Sequence, residues 1–197
     1  MARAPLIVGI GGSTGGESVT SALLRACLRK VRDRGAHTEL INGPQLNELP
    51  LYEAEAPGTP AAAWPLLHSV RRADCVVLAT PGYHGGMSGL LKNALDHLEA
   101  LHDDPRPYLD GRAVGVIVAA AGWQAAGTAL VSVRSAIHAL RGWPTPFGLT
   151  VNSAQQRPDI DGNFDARVDG ALAILAGQLL EFAQWRVRAM EADQVSG

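Results

Sequence analysis

Two rhythms of apolar residues alternate along this chain. Short unbroken runs, Leu6 to Ile10, Cys75 to Ala79 and Ala113 to Ala121, stop at Gly11, Thr80-Pro81 and Gly122, as strands buried on both faces do. Between them the spacing is helical. From Ser18 onward Val19, Leu23, Ala26, Cys27 and Val31 share a face, cationic Arg29, Lys30, Arg32 and Arg34 crowd the carboxyl end, and Gly35 closes the helix. Further helices are predicted over Ala62 to Ala73, Gly86 to Leu101, Thr128 to Arg141 and Ala166 to Met190. Thr38 to Ile41 and Phe147 to Val151 read as two more strands, and Asn42 to Pro60 as a long surface connection suited to a wall or a subunit contact.

This alternation predicts one α/β domain over residues 1–197, with an ordered core of about 5–190 and fraying at Met1 to Ala4 and after Met190. Right-handed crossovers make it a three-layer, doubly wound parallel sheet of five strands, in the order 2-1-3-4-5. A ligand then belongs at the switch between the first and third strands, where three glycine-rich loops converge: Gly11 to Glu17, Thr80 to Met87 and Ala121 to Gly127.

Charge narrows the partner. A net charge of -2 with 18% charged residues leaves no basic field for nucleic acid or anionic lipid, and no apolar stretch reaches membrane-spanning length, so the expected partner is a small molecule. Cys27 and Cys75 both sit in apolar segments, which predicts two buried thiols, no disulfide and a cytoplasmic protein.

The segment Gly11-Gly12-Ser13-Thr14-Gly15-Gly16-Glu17-Ser18 joins a strand to a helix amino terminus, where unpaired N–H groups and the positive dipole end favour an anion. Hydroxyls of Ser13, Thr14 and Ser18 add donors; on its letters alone the segment fits a phosphate cradle and a plain N-capped turn equally well. Two better-known phosphate motifs fail here. From Gly9 and Gly11 the third glycine of a dinucleotide fingerprint falls on Thr14, and Walker-A spacing from Gly11 to Gly16 puts Glu17 where a lysine is required.

The most informative stretch runs from Pro81 to Asp96. Pro81 stiffens the turn, the side chain of Tyr83 or His84 can line a ring edge, and the small Gly85 and Gly86 let main-chain donors approach a flat heterocycle, ahead of a helix burying Leu91, Ala94, Leu95 and Leu98. Its pattern P-x-Y-x-G-x-x-S-G-x-L-K-N-x-x-D resembles that of the NADPH-dependent FMN reductase family at every fixed position, and the first loop resembles the family's G-S-x-R-x-x-S cradle. The resemblance implies a flavodoxin-like fold, FMN and NADPH or NADH as cofactors, and a homodimer or homotetramer. It places the phosphate on Ser13, Thr14, Gly15 and Ser18, and the isoalloxazine against Pro81, Gly82, Tyr83, His84 and Gly85 and against Gly122 and Trp123.

One departure stands out: the family's arginine position is Gly15, and Glu17 adds a carboxylate beside it. Losing one charge-assisted contact of roughly 1.5–3 kcal/mol weakens FMN by about tenfold to a hundredfold. The expected activity is hydride passage from NAD(P)H through flavin to a small acceptor such as a free flavin, a quinone, an azo compound or a specialised metabolite. Such a transfer obliges no acid–base pair, so no catalytic residue is assigned; Tyr83 and His84 are candidates for positioning or proton supply. A flavin-free binding or assembly protein and a flavodoxin-type electron carrier are the competing readings, the second disfavoured by the weak net charge. Asp96, His97, His102, Asp103 and Asp104 are read as a solvated helix end and not a metal site, since His97 and His102 lie about 140° apart on a helix. Trp64, Trp143 and Trp185 are read as packing or subunit contacts.

Overall fold

The computed structural model describes residues 3–15 and 17–195; Met1, Ala2, Gly16, Ser196 and Gly197 lie outside the described residues. β1 (Leu6–Gly11) leads into α1 (Val19–Arg32), then β2 (His37–Ile41), the short α2 (Gly43–Asn47), α3 (Trp64–Arg72), β3 (Cys75–Tyr83) and β4 (Gly86–Met87). α4 (Gly89–Asp96), β5 (Ala113–Ala120), α5 (Trp123–Ala139), β6 (Trp143–Pro144), β7 (Leu149–Asn152) and α6 (Ala166–Val195) complete the order.

The main path is β2-β1-β3-β5-β6, with β7 pairing the upper part of β5 and β4 pairing β3. All pairings are parallel except β3 with β4. With β6 and β7 taken as the two halves of the last strand, this is the expected 2-1-3-4-5 order with a hairpin added. The last strand is split because Arg134 donates to the carbonyls of Thr145 and Pro146, which draws the chain between β6 and β7 onto α5.

Alternation along the strands feeds two cores. Val8, Ile10, Val76, Leu78, Val114, Val116 and Val118 face α3, α4 and α5, while Ile7, Cys75, Val77, Ile117 and Ala119 face α1 and α6. Both faces are therefore dry, which explains the unbroken apolar runs. Leu91, Ala94, Leu95 and Leu98 are buried as their spacing predicts. Cys27 and Cys75 are free thiols in the second core, and burial pushes both up to about 12.

Several boundaries differ from the sequence reading. β3 does not stop at Ala79 but runs to Tyr83 and turns back through His84 and Gly85 into β4; both turn residues have positive φ, 51° and 82°, as a two-residue I′ hairpin requires. Pro81 thus stands inside a strand, paired in register with Ala119, and not in a turn. The helix expected from Gly86 begins at Gly89, because Ser88 caps it, and ends as a 3-10 turn over His97–Leu101. α5 starts at Trp123, five residues before the expected Thr128, so Gly127 is helical and the third loop shrinks to Ala121 and Gly122. α6 continues to Val195, past the expected fraying at Met190. No helix among the described residues is long and apolar enough to cross a membrane.

Candidate functional site

Parallel pairing brings the carboxyl ends of β1, β3 and β5 to one rim. Gly11 is level with Ala79, and Pro81 with Ala119, so the chain after β1, the hairpin after β3 and the start of α5 share one edge of the sheet. Every described residue expected at the site lies on that rim.

The first loop is held from below by groups distant in sequence. Its Gly12 amide donates to the Ala79 carbonyl at 2.7 Å, and the buried Ser88 hydroxyl donates to the Gly12 carbonyl at 2.6 Å while accepting from the Leu91 amide at 3.1 Å. Thr80, fully buried, accepts from the Ser88 amide at 2.9 Å. A Cβ on Gly12 would stand 2.7 Å from the Leu91 Cβ and 2.8 Å from the Ser88 hydroxyl, so only glycine lets β1 and α4 meet here. On its other side the loop rests on α2: a Cβ on Gly43 would lie 1.6 Å from the Ser13 carbonyl oxygen.

Held in this way, the loop presents donors. Among the described residues, the amides of Ser13, Thr14, Gly15 and Glu17 donate to no protein acceptor. Ser18 caps α1, its hydroxyl accepting from the Ser21 amide at 3.1 Å, and Ser21 in turn donates to the Gly15 carbonyl at 3.1 Å. The capping reading of Ser18 is therefore realised, and it leaves the amides, not that hydroxyl, as the main donors toward an anion. At the opposite side of the rim, α5 has Gly122 at its N-cap and no side-chain cap, so its first-turn amides are also unanswered by a side chain. Tyr83 and Trp123 stand about half exposed over this gap, at 58% and 48%. Gly82 packs closely enough that a Cβ would come within 3.1 Å of the Ala120 Cβ, which seats the hairpin on β5. These features fit a flat group carrying a phosphate: amides for the anion, backbone and aromatic surface for the ring.

Two cavities lie beside this rim. One of about 420 Å³ sits beneath the strap Pro50 to Pro60, and one of about 460 Å³ lies between Trp123, β7 and α6. Trp123, expected at the site, lines the second of these.

Two groups of residues have roles the sequence reading missed. Asn93, a fixed position of the motif, accepts from the Tyr52 amide at 2.8 Å and donates to the Pro50 carbonyl at 2.9 Å, fastening the strap to α4. His97 is buried and its Nε2 lies 3.0 Å from that same Pro50 carbonyl, so it is part of the strap's anchor and not of a solvated helix end. Asp104 is held by Arg71 at 2.6 and 3.0 Å, and that guanidinium lowers its pKa. Among the described residues, no group of three acidic, histidine or cysteine side chains is placed to hold a metal. Trp64, Trp143 and Trp185 are 49%, 63% and 60% exposed, and the Trp143 ring lies 6.3 Å from that of Phe182 on α6.

Known proteins resemble this chain in sequence and fold. The model of the NADPH-dependent FMN reductase family matches residues 5–156. An FMN-dependent NADPH-azoreductase of Staphylococcus aureus is 28% identical over 161 residues, covering 78% of this chain and 80% of that protein. Among solved structures, FerB, a flavoenzyme NAD(P)H:(acceptor) oxidoreductase from Paracoccus denitrificans, superposes with a TM-score of 0.71 at 18% identity, covering 91% of this chain and 99% of that one. RosB bound to 8-demethyl-8-formylriboflavin-5'-phosphate gives 0.70 at 16% identity, covering 99% of this chain and 88% of that one. At such identities the solved structures establish the flavodoxin-like fold alone. The family match extends from the start of β1 to beyond β7 and takes in all three strand ends, and on that span the chain belongs to the NADPH-dependent FMN reductase family.

Proposed function

We propose that this chain is an NAD(P)H-dependent FMN oxidoreductase that reduces small aromatic acceptors, azo compounds and quinones among them, as a homodimer or homotetramer. The observation that carries the reading is the first loop, where the amides of Ser13, Thr14, Gly15 and Glu17 have no protein acceptor and which Ser88 and Gly43 hold at the rim. The amides of Ser13, Thr14 and Gly15 at the amino end of α1 would hold the phosphate. Pro81 to Gly85, Gly122 and Trp123 would hold the ring. When bound, FMN supplies a two-electron relay between nicotinamide and acceptor.

The protein's part is to bind and orient. Tyr83 and Trp123 limit how the ring sits, and the I′ turn at His84-Gly85 fixes the height of the hairpin beside it. The azoreductase likeness supports the acceptor class.

The test is direct. Apo protein titrated with FMN is expected to quench its fluorescence to saturation, and the loaded protein to oxidise NADPH with an azo dye or a quinone present. Absence of quenching at a large excess of FMN removes the reading; quenching without NADPH or NADH oxidation leaves a flavin binder or electron carrier.

A further inference from the structure

The cavity of about 460 Å³ beside β7 meets the proposed flavin site at Trp123. β7 pairs with β5 alone, and its Leu149, Thr150 and Val151 line the cavity. The chain leaving β7 is tied to the rim: the Ser153 amide donates to the Ala120 carbonyl at 2.9 Å, and the amides of Gln155 and Gln156 donate to the Asn152 carbonyl at 3.1 and 2.9 Å. The hairpin proposed to hold the ring packs on the same corner, where a Cβ on Gly82 would lie 3.1 Å from the Ala120 Cβ and 3.3 Å from the Ala125 carbonyl oxygen. The end of the cavity at the rim is polar, with Gln155, Gln156 and Arg167 beside Trp123. Asp165 balances the charge of Arg167 there, its carboxylate accepting from Gln156 and, at 2.9 Å, from the Val168 amide. α6 runs down from the rim, since Leu175 packs on Gly115 in β5 and Arg186 on Gly111 before it. Away from the rim the walls are accordingly apolar, with Phe147, Leu149, Ala171 and Ile174, the last of them 52% exposed.

Resting on the FMN reading above, we propose that this cavity is an acceptor subsite: it takes the far, non-reacting ring of an elongated two-ring acceptor whose reducible bond lies at the flavin. A volume of about 460 Å³ falls in the range of small-molecule pockets and exceeds what one aromatic ring fills. The change from polar rim to apolar depth matches such a molecule, with its heteroatoms beside Gln155 and its uncharged ring against Phe147 and Ile174. Burial of the far ring holds the reacting bond in place, so binding away from the chemistry favours long acceptors over short ones. For an azo compound, one turnover takes NADPH, a proton and the N=N bond to NADP+ and the hydrazo compound HN–NH. The nitrogens gain two electrons and two protons, and the cavity residues supply none of them. A one-ring quinone is reduced at the flavin without reaching the cavity.

The experiment measures steady-state kinetics of the FMN-loaded full-length chain with two acceptors, an azobenzene dye and 1,4-benzoquinone, and FMN affinity by quenching. Gly170 lines the cavity on α6, and a Cβ there meets nothing within 4 Å, so Gly170→Phe fills the space while replacing a poor helix former. Ile174→Asp is a second variant, at an exposed position, that makes the apolar wall charged. Each is expected to raise the KM for the azobenzene dye about three- to tenfold and to leave the KM for benzoquinone and the Kd for FMN within about twofold of wild type. An unchanged KM for the dye in both variants overturns the subsite, as do equal rises for dye and quinone. A rise confined to the KM for NADPH overturns it by assigning the cavity to the coenzyme, and a weakened FMN Kd by assigning it to the flavin. Wild type that binds FMN and reduces benzoquinone but not the dye overturns the subsite alone. Wild type that binds no FMN overturns both the subsite and the reading beneath it.

Discussion

The two ends of the sheet treat their polar groups in opposite ways. At the amino end, Arg112 is completely buried, donating through Nη1 to the carbonyls of Tyr108 and Asp110 at 3.2 and 3.1 Å and through Nη2 to that of Arg71 at 2.9 Å. Burial, and then the neighbouring Arg106, bring its pKa down to about 10. Asp74 beside it accepts from Arg3 at 2.7 and 2.5 Å and from the Leu6 amide at 2.8 Å, and Arg106 donates to the Ala73 carbonyl at 3.3 Å. At the carboxyl end the amides of Ser13 to Gly15 have no protein acceptor, and Tyr83 and Trp123 are half exposed. One end uses its polar groups to hold the fold, and the other leaves several without a protein partner.

The contrast breaks most sharply at Arg112. Arg112→Met strips several buried carbonyls of their donor and is expected to cost about 3–5 kcal/mol in urea unfolding, with FMN affinity of the folded fraction unchanged. An FMN loss equal to the stability loss would mean that the two ends are not separate.

The dry interior above that end has a pH signature. Both thiols are raised from 9.0 to about 12 by burial, so their contribution is fully present below pH 9 and is lost as pH rises toward about 12, because only the unfolded chain ionises. At pH 10 the expected loss is roughly 1.4 kcal/mol per thiol. Urea midpoints at pH 8 and pH 10 should fall further for wild type than for the double variant Cys27→Ala, Cys75→Ala; parallel falls would assign the alkaline loss to other groups.

Ser88→Ala tests whether the open end has its own rigid base. Removing the donor to Gly12 and the cap of α4 is expected to cost about 1–3 kcal/mol, and here, unlike at Arg112, FMN affinity should fall as well. Trp123→Ala is the smallest perturbation of stability, expected within about 0.5 kcal/mol for so exposed a side chain. Its FMN Kd should nonetheless rise about three- to tenfold, as calorimetry or quenching would read. An unchanged Kd would take Trp123 out of the site.

Element types, the parallel order and the rim were legible because each rests on local periodicity and on the handedness of crossovers, both written into contiguous residues. The Pro81 to Asp96 motif was legible as a pattern, but the roles of its members were not. Ser88 and Asn93 serve by binding Gly12 and the strap Pro50 to Tyr52, partners far along the chain. The hairpin at His84-Gly85 was hidden because Pro81 and the glycines carry the same signal as an irregular loop. His97 likewise reads as a surface residue until the strap covers it.

The chain's own letters thus settled the class of fold and the rim where three loops meet, since these follow from spacing, and they carried the family's motif, since Pro81 to Asp96 are contiguous. Which groups brace that rim and which amides are left without a protein partner were settled only by folding. Those outcomes depend on contacts between residues many turns apart, and no local rhythm encodes a distance across the core.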